Sequence, residues 1–526
     1  MRAIVLGAST GMLLVCATPP HALYPLVLIG FLPLLRAAHG RRGCPALGSA
    51  AAAGWIAGTV FYLGAADWLP ETIAHLQSIG PAAAWALFGF FAIVHALQFA
   101  LALALAALLG STAARPAPVR WLANAGGAAA AWVVLEWAFP KVFPWSVGSV
   151  LGADPRLRQA AELGGAHGLA LLVMLVNALL AEGARRHSPP AQRLCATGAA
   201  LGLLSLALAY GAWRTPTPRR AGARGGARIA IVQGGAAASD TDPAATAAHS
   251  LATYASLTRA AAAASDLVVW PEVALRVYVR DNDFFRDRLA ALVREAARPV
   301  LLGALDRTAN GGELNGAYVF APALAARPVA VHHKSGLLPF GEYVPGADWW
   351  PALRRWRTTG EFVPGTPLVP FDVDLAEGRL RIATAICVEA TRPGAFNDAV
   401  RRGAELLVNL SDDTWFASEK AAAQHLELTR LRAVETRRWL VRASNSGVSA
   451  FIDPAGRVLA ALPLGAVGTL VHRIDRGRTI TAYVRRGDWV VPLCAVVVCL
   501  LGLARLHEDS HPSPQSRWRI CARSKP

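Results

Sequence analysis

The sequence predicts a multi-pass α-helical membrane region of about eight spans joined to an α/β domain. The first observation is composition: 54% of the 526 residues are hydrophobic and 17% are charged, against roughly 25% charged in a typical soluble protein. The second is distribution, because long apolar runs fill residues 1–213 and 489–505. The third is that strand-like apolar runs alternate with helix-like segments between these regions, as in α/β folds.

The membrane spans are predicted from length, since a helix needs roughly 20 mostly apolar residues to cross a bilayer. The segments that approach this length are 3–20, 22–37, 46–67, 82–110, 121–138, 163–182, 194–213 and 489–505. The first could instead be a cleaved signal peptide that ends at Cys16. Such processing usually requires a small residue before the cysteine, and Val15 stands there. We therefore expect an uncleaved first span.

The distribution of Lys and Arg among the short loops predicts the orientation of the chain in the membrane. The basic clusters lie at 36–42, 115–120, 185–193 and in the C-terminal tail. Both termini are therefore expected in the cytoplasm, and the α/β domain on the opposite side. The basic segment 214–228 disagrees with this orientation, since it lies on the side opposite the cytoplasm. We keep the orientation because long translocated domains follow the charge rule weakly. We expect it to lie against anionic lipid headgroups.

These boundaries divide the chain into five parts. They are the N-terminal transmembrane helices, about seven (1–213), a basic linker (214–226), the α/β domain (227–487), a C-terminal transmembrane helix (488–505) and a cytoplasmic basic tail (506–526). Strands of the α/β domain are predicted at 227–233, 265–272, 299–305, 316–322, 328–335, 380–389, 404–413, within 439–460 and at 469–475. Helices are predicted at 244–263 and 283–297. Such alternation favours helices layered on sheets.

The net charge of +17 raises the question of a nucleic-acid partner. The basic residues are spread along membrane loops and no nucleic-acid motif accompanies them, so we predict no such partner and expect lipid headgroups instead. Cys387 is the only cysteine between Cys195 and Cys494. It is therefore predicted to be a free thiol, although an oxidising compartment would permit disulfides. We expect no metal and no cofactor.

Three residues at or just beyond the ends of predicted strands suggest chemistry: Glu272, Lys334 and Cys387. Strand ends are where α/β folds place reacting groups. A nucleophilic thiol needs a base to take its proton and a cation to favour the thiolate and the developing oxyanion. Each residue alone has an ordinary alternative. A buried cysteine is usually a small hydrophobe, and a charged residue at a strand end is usually solvated.

Four segments around these residues resemble the nitrilase superfamily, whose catalytic set is Glu-Lys-Cys. They are VVWPEVAL (268–275), HHKSGLLPFGEYVP (332–345), ICVEATRP (386–393) and LLVNLSDDTWF (406–416). Longer segments resemble the apolipoprotein N-acyltransferase family, a membrane branch of that superfamily. They are KSGLLPFGEYVP (334–345), the stretch from Gln424 to Val458, FPWSVG (143–148) and GLALLVMLVNALLAE (168–182). This resemblance covers almost the whole chain.

The resemblance implies a fold, a location and a reaction. The fold is a four-layer α-β-β-α sandwich on eight membrane helices, in the cell inner membrane with the α/β domain in the periplasm. The reaction moves an acyl chain from a membrane phospholipid to the α-amine of the S-diacylglyceryl-cysteine of an apolipoprotein. It proceeds through a ping-pong thioester mechanism and is the last step of lipoprotein maturation. We expect the protein to act as a monomer.

The resemblance also assigns roles to five residues. Glu272 matches the general base, Lys334 the oxyanion stabiliser and Cys387 the nucleophile. Glu342, in the segment PFGEYVP, matches a second glutamate of the family that supports the three. Glu389 matches the acidic residue two positions after the cysteine. The adjacent Glu389 is therefore predicted to support the site, while the distant Glu272 activates the thiol.

Four aromatic residues are predicted to contact the substrates. Trp349 and Trp350 lie beside Arg354 in an aromatic and basic segment that is typical of a membrane interface. The alternative is a surface loop whose tryptophans pack on the domain. Trp415 and Phe416 are predicted to line the acyl pocket, with simple core packing as the alternative.

Three residues depart from the family pattern and leave the substrates open. Val388 stands where an aromatic residue usually follows the nucleophile, while Gly235 and Asp412 stand where asparagines are usual. One alternative is therefore a membrane-tethered nitrilase-type amidase, or an acyltransferase that acts on a different amine. Another is a non-catalytic transporter or scaffold, in which Cys387 would be dispensable.

Overall fold

The structure, a computed structural model, describes residues 1–38, 47–110, 117–186, 188–215, 226–235, 243–324, 328–356, 358–416 and 418–510. The expected basic linker (214–226) and basic tail (506–526) lie mostly outside the described residues.

The membrane region is helical, as the apolar runs predict. Its helices are Arg2–Ala17 (α1), Leu32–Ala38 (α2), Leu47–Ala65 (α3), Leu69–Gln77 (α4), Pro81–His95 (α5), Leu97–Leu109 (α6), Ala117–Ala138 (α7), Ala161–Gly183 (α8) and Pro190–Arg214 (α9). A last long helix, Val490–Ser510, follows the α/β domain. Three short 3₁₀ segments, Tyr24–Leu28, Val147–Ala153 and Leu157–Ala160, interrupt the helical part.

The number of spans stays a prediction. Five helical segments of the described chain are long and apolar enough to cross a membrane: Leu47–Ala65, Pro81–Leu109, Leu157–Gly183, Pro190–Arg214 and Val490–Glu508. The predicted first two spans correspond to shorter apolar helices, Arg2–Ala17 and Tyr24–Ala37. The predicted span 121–138 corresponds to α7, which is not among the five. These apolar helices are those of a membrane protein.

Small residues allow the first helices to pack closely. A Cβ atom at Gly7 of α1 would lie 2.5 Å from the carbonyl oxygen of Ala53 in α3, and one at Gly11 would lie 2.7 Å from that of Ala57. Such backbone contact is typical of membrane helices, where association depends on close packing rather than on the hydrophobic effect.

The α/β domain contains two sheets. The strands are Ala227–Gln233 (β1), Leu267–Val269 (β2), Leu275–Tyr278 (β3), Val300–Arg307 (β4), Glu313–Phe320 (β5), Ala330–His333 (β6), Phe371–Leu375 (β7), Gly378–Ile386 (β8), Leu406–Ser411 (β9), Trp439–Ser444 (β10), Ser449–Ile452 (β11), Val458–Leu462 (β12) and Gly468–Ile474 (β13). The first sheet has the order β13-β1-β2-β4-β5-β6, with β3 beside β4, and the second has the order β12-β11-β10-β9-β8-β7.

Helices cover the outer faces of both sheets. The helices are Pro243–Ala262 (α10), Asp283–Ala296 (α11), Asn397–Arg401 (α12), Glu419–Thr436 (α13) and Ala482–Arg486 (α14), so the long C-terminal helix Val490–Ser510 is α15. One core lies between the sheets and joins residues such as Ile231 and Val408. A second core packs α10 and α11 on the first sheet, and a third packs α12 to α14 on the second. The four-layer α-β-β-α architecture is therefore confirmed.

Helix α13 joins the α/β domain to the membrane helices. Its residues Leu431 and Val434 are fully buried in the same core as Leu151 and Ala166 of the membrane region. This helix and strands β3 and β7 were not predicted from the sequence. The junction matters for function because it places the helix layer of the second sheet directly on the membrane region.

Candidate active site

Cys387 lies at a sharp turn directly after β8. Its φ angle of +52° is positive, and a 3₁₀ turn, Cys387–Thr391, begins at this residue. A positive φ is costly for a residue with a side chain, and such strain concentrates at functional sites. The side chain of Asn409 donates a hydrogen bond of 3.3 Å to the Cys387 carbonyl oxygen and supports the turn. The thiol is free and half-buried, as the sequence predicts.

Glu272 and Lys334, which follow β2 and β6 of the first sheet, form a buried ion pair. Lys334 Nζ lies 3.2 Å from Glu272 Oε1 and 2.7 Å from Glu342 Oε1, so one ammonium joins two carboxylates. Asn315 Nδ2 donates a hydrogen bond of 2.7 Å to Glu272 Oε1, and the backbone N–H of Asp412 donates one of 2.8 Å to Glu272 Oε2. Both oxygens of Glu272 are therefore held in place.

The electrostatics of the site keep the thiol protonated. Burial, followed by the negative charge of Glu272, raises the pKa of Cys387 well above its ordinary value, while Lys334 acts in the opposite direction. Burial also raises the pKa of Glu272, against the effect of Lys334. Burial opposes the charge of Lys334, but Glu272 and Glu342 outweigh it and raise the pKa of the lysine. A thiol in this state needs a base before it can attack.

Glu389 holds the loop that follows Lys334 (the lysine loop) against the 3₁₀ turn Cys387–Thr391 (the cysteine turn). Its Oε1 accepts hydrogen bonds from the backbone N–H groups of Ser335 (2.7 Å) and Gly336 (2.9 Å), and its Oε2 accepts one from that of Ile386 (2.8 Å). His332 Nε2 lies 3.3 Å from Oε2. Burial disfavours the charge, yet these partners, led by His332, lower the pKa of Glu389 to about 2. Glu389 is therefore a charged anchor rather than a base.

A buried network behind the cysteine turn was not predicted from the sequence. Arg442 Nη2 donates a hydrogen bond of 2.7 Å to Asp413 Oδ2, and His425 Nδ1 lies 2.9 Å from Asp413 Oδ1. Arg442 also bonds Asn409, which supports the Cys387 carbonyl. Burial and then the charge of Arg442 lower the pKa of His425, while Asp413 acts in the opposite direction. Among the described residues, its buried Nε2 atom has no hydrogen-bond partner.

An apolar pocket connects the cysteine to the membrane helices. Its volume is about 1100 Å³ including the open mouth, and its wall combines residues of both parts of the chain. The α/β domain contributes Leu338, Cys387, Val388, Phe416 and His425, and the membrane region contributes Phe61, Tyr62, Trp68, Phe91, Phe143 and Trp145. Phe416 packs edge-to-face on Trp68 with ring centroids 5.0 Å apart, so the two parts meet within the wall.

The other predicted substrate contacts lie elsewhere. Trp349 and Trp350 are 93% and 65% exposed, just before the 3₁₀ turn Pro351–Arg355. Within the part of the chain that the structure describes, neither they nor Trp415 belong to the pocket wall. Their role in substrate binding stays a prediction. The described residues also contain no group of three or more His, Cys, Asp and Glu side chains that could hold a metal ion.

The fold and the strand-end residues define a class of protein: a membrane-bound enzyme with a nitrilase-like α/β domain. The chain matches the carbon-nitrogen hydrolase family over residues 228–483. It matches the apolipoprotein N-acyltransferase N-terminal domain over residues 10–179. The two matches correspond to the α/β domain and to most of the membrane region.

Relatives match almost the whole length of the chain. The apolipoprotein N-acyltransferase of Geobacter metallireducens is 30% identical, over 96% of this chain and 96% of its own. That of Azotobacter vinelandii is 33% identical, over 97% of this chain and 96% of its own. The chain therefore belongs to the apolipoprotein N-acyltransferase family.

Among solved structures, an amidase of the nitrilase superfamily from Nesterenkonia sp. AN1 is similar to about half of this chain. It is 20% identical with a TM-score of 0.38, over 52% of this chain and 98% of the amidase.

Proposed function

We propose that this protein transfers an acyl chain from a membrane phospholipid to the α-amine of the N-terminal diacylglyceryl-cysteine of apolipoproteins. The observation that carries the proposal is the pocket, whose apolar wall is shared between membrane helices and the α/β domain and includes Cys387. Extracting a lipid from the bilayer costs about 0.8 kcal/mol per CH₂ group. A nucleophile at the end of an apolar pocket beside the membrane avoids most of that cost.

The first half of the proposed reaction acylates Cys387. Glu272 takes the thiol proton as Sγ attacks the ester carbonyl carbon of the phospholipid, and Lys334 stabilises the resulting oxyanion. The carbon–oxygen bond then breaks, Glu272 returns the proton to the departing oxygen, and a lyso-phospholipid leaves. The raised pKa of the Cys387 thiol supports this order, because the thiol holds its proton until the base takes it.

The second half transfers the acyl chain. The acceptor amine attacks the thioester carbonyl, the new amide bond forms, and the carbon–sulfur bond breaks to release Cys387. Water must stay out between the two halves, or the thioester hydrolyses and the net reaction is that of a lipase. The aromatic and aliphatic side chains around Cys387, including Val388 and Phe416, support such exclusion.

We also propose the arrangement of the chain in the membrane. The α/β domain (227–487) lies in the periplasm between the membrane helices before it (1–213) and the helix after it (488–505). Both termini are cytoplasmic, and the protein acts as a monomer. The alternating basic loops support this orientation. Tethering at both ends keeps the pocket mouth at the level of the lipids.

Intact-mass measurement of the purified chain after incubation with phospholipid tests the proposal. We expect an increase equal to one acyl chain, located on Cys387 and released by hydroxylamine. Cys387→Ala is expected to abolish the adduct, whereas Cys499→Ala, on the exposed face of α15, is expected to keep it. Addition of a diacylglyceryl-cysteine peptide should then move the acyl chain to the peptide.

Other outcomes separate the alternatives. Absence of any adduct on the wild-type chain would refute the thioester mechanism. An adduct that resists the lipopeptide but is consumed by another amine would favour the alternative acyltransferase, and cleavage of simple amides would favour the membrane-tethered amidase.

A further inference from the structure

The second half of the proposed reaction needs a group beside Cys387 that orients the acceptor amine. An amine attacks through its nitrogen lone pair, and its N–H groups lose their hydrogen bonds to water when they enter an apolar pocket. Burial of a polar group without a new partner is costly. A hydrogen-bond acceptor close to the thioester would remove this cost and direct the lone pair. The phospholipid ester of the first half has no N–H group at its reacting carbon.

His425 of α13 lies in the pocket wall beside the nucleophile. The wall contains both His425 and Cys387, and His425 is 8% exposed. Burial and Arg442 lower the pKa of His425, and one of the smaller opposing effects comes from the backbone carbonyl group of Cys387. The imidazole ring therefore lies next to the cysteine turn. Phe416, another wall residue, packs edge-to-face on the ring with centroids 6.3 Å apart.

One edge of the His425 ring is held by a buried carboxylate. Nδ1 lies 2.9 Å from Asp413 Oδ1. Burial opposes the charge of Asp413, but Arg442 and His425 lower its pKa, so it is a carboxylate and can only accept hydrogen bonds. Arg442 Nη2 lies 3.2 Å from Nδ1, but it donates to Asp413 Oδ2 (2.7 Å) and to Ser411 Oγ (3.2 Å). We therefore assign the proton of the uncharged ring to Nδ1.

This assignment leaves a lone pair on Nε2. Within the described part of the chain, the buried Nε2 atom has no hydrogen-bond partner. Asp413 and Arg442 hold the Nδ1 edge and are not among the described wall residues, whereas Cys387 and Phe416 are. The opposite edge, which carries Nε2, is therefore the one nearest the pocket. Buried acceptors are nearly always paired in proteins, so a substrate that fills the pocket up to the cysteine turn is expected to supply a donor.

Glu427 is the other ionisable residue that α13 contributes to the wall, and its geometry is less suitable. Its Oε2 atom pairs with Arg430, whose Nη2 also donates a hydrogen bond of 3.1 Å to the carbonyl oxygen of Gly152. A Cβ atom at Gly152 would lie 3.9 Å from the same Oε2. The carboxylate is therefore paired with a cation and lies against the membrane-region segment Val147–Ala153.

We propose that His425 Nε2 accepts a hydrogen bond from the α-amine of the acceptor lipopeptide and so directs the amine lone pair at the thioester carbonyl carbon on Cys387. The inference rests on the proposed function. As the amide C–N bond forms and the thioester C–S bond breaks, the neutral amine loses one proton. Glu272, a carboxylate again after the first half, takes this proton and returns it to the Cys387 sulfur. Asp413 keeps the His425 ring in the required tautomer.

Separate measurement of the two halves tests this role, with the full chain in detergent micelles. Acylation of Cys387 is followed by intact mass, once with phosphatidylethanolamine and once with phosphatidylglycerol, whose headgroup has no amine. The loaded enzyme is then freed of phospholipid, and a synthetic diacylglyceryl-cysteine peptide is added. His425→Asn keeps an amide N–H for Asp413 but lacks the second acceptor. It is expected to slow the transfer to the peptide about tenfold, as for the loss of one hydrogen bond, and to leave acylation by both lipids within about twofold of the wild type.

Two further variants make the result decisive. His425→Gln, whose amide oxygen can occupy the position of Nε2, is expected to restore most of the transfer. His249→Asn, at an exposed position of α10, is expected to behave as the wild type in both halves.

The inference would be overturned by equal slowing of both halves, by no slowing of the transfer, or by a glutamine variant as slow as the asparagine variant. Slower acylation with phosphatidylethanolamine alone would show that His425 binds the headgroup amine of the donor instead. Each of these results leaves the proposed function intact. A wild-type chain that never forms the adduct would refute both.

Discussion

At the scale of the residue, the site depends on charges that are buried but paired. A buried ion is costly unless partners and hydrogen bonds compensate it. Lys334 has two carboxylates, and Glu389 accepts hydrogen bonds from three backbone N–H groups, two in the loop after β6 and one at the end of β8. The same pairing fixes the distances between the lysine loop and the cysteine turn. The same contacts therefore position these two segments and stabilise the buried charges.

Glu389 should make the stability of the protein depend on pH. Its pKa in the folded protein is about 2, below the ordinary value of 4.5. Its contribution is therefore fully present above about pH 4.5 and is lost as the pH falls towards 2, with a total of about 3 kcal/mol. We expect the free energy of unfolding of the wild type in micelles to exceed that of Glu389→Gln by about 3 kcal/mol more at pH 6 than at pH 2.

The control is Glu361→Gln, since Glu361 is exposed on a loop of the same domain. Its difference from the wild type should be the same at both pH values. A pH-independent difference for Glu389→Gln would show that the carboxylate is not anchored as the structure indicates.

At the scale of the element, the 3₁₀ turn after β8 supplies two residues of the pocket wall. The turn places Cys387 and Val388 in the wall of the same pocket, which also contains aromatic side chains of the membrane region. The family resemblance of the sequence predicts an aromatic residue in the position of Val388. A smaller side chain leaves more of the pocket open, so this position is expected to influence which acyl chain fits.

Val388→Phe is therefore expected to shift the preference of the enzyme towards shorter acyl chains. Each CH₂ group that no longer fits the pocket loses about 0.8 kcal/mol, or about fourfold in preference. The measurement is the mass of the adduct on Cys387 after incubation with phospholipids of mixed chain length. Val467→Phe, at a position that is 60% exposed, is the control. An unchanged distribution of adduct masses in Val388→Phe would contradict the prediction.

At the scale of the whole molecule, the α/β domain is fastened to the membrane helices by buried polar contacts as well as by packing. Gln424 Nε2 of α13 donates hydrogen bonds to the carbonyl oxygens of Pro19 (3.3 Å) and Ala65 (2.8 Å). At the other end of α13, Arg437 pairs with Glu162 of α8 at 2.6 Å. Glu162 also pairs with Arg214 of α9. These contacts keep the two halves of the pocket wall together.

Glu162→Gln is expected to weaken this junction. It leaves Arg437 and Arg214 without their carboxylate, and breaking a buried pair in this way costs about 3–5 kcal/mol. We expect a lower free energy of unfolding in micelles and slower acylation by phospholipid, while alkylation of Cys387 by a small soluble reagent stays unchanged. Glu295→Gln, which breaks the exposed pair with Arg259, should cost less than about 1 kcal/mol. Equal losses for the two variants would refute the role of Glu162.

Much of the architecture could be predicted because it follows from local patterns. Apolar length marks the membrane helices, and apolar runs bounded by turns mark most strands of the two sheets. Strand β3 was missed because its four residues are too few to show a period. It pairs with β4, outside the main strand order of the first sheet. The count of eight spans assumed one helix for each apolar run, whereas the run 22–37 is split into Tyr24–Leu28 and α2.

The residues of the site also divide into those that local motifs identify and those that only long-range contacts bring in. Glu272, Lys334, Glu342, Cys387 and Glu389 were identified by their motifs, and the structure brings them together. Asn315 could not be found in this way, because it reaches Glu272 only through the pairing of β5 with β4, where it lies opposite Leu305. Arg442 and His425 likewise meet Asp413 only when β10 and α13 pack beside β9.

The sequence by itself determined that this protein has a helical membrane region and an α/β domain, whose single cysteine has an acid and a base in motifs around it. These properties depend on hydrophobic periodicity and on short segments, which are local. Only the tertiary structure decided that the thiol opens into a pocket built jointly with the membrane helices, and that Asp412 lies against Glu272. Such contacts join residues far apart in the chain, so no local pattern carries them.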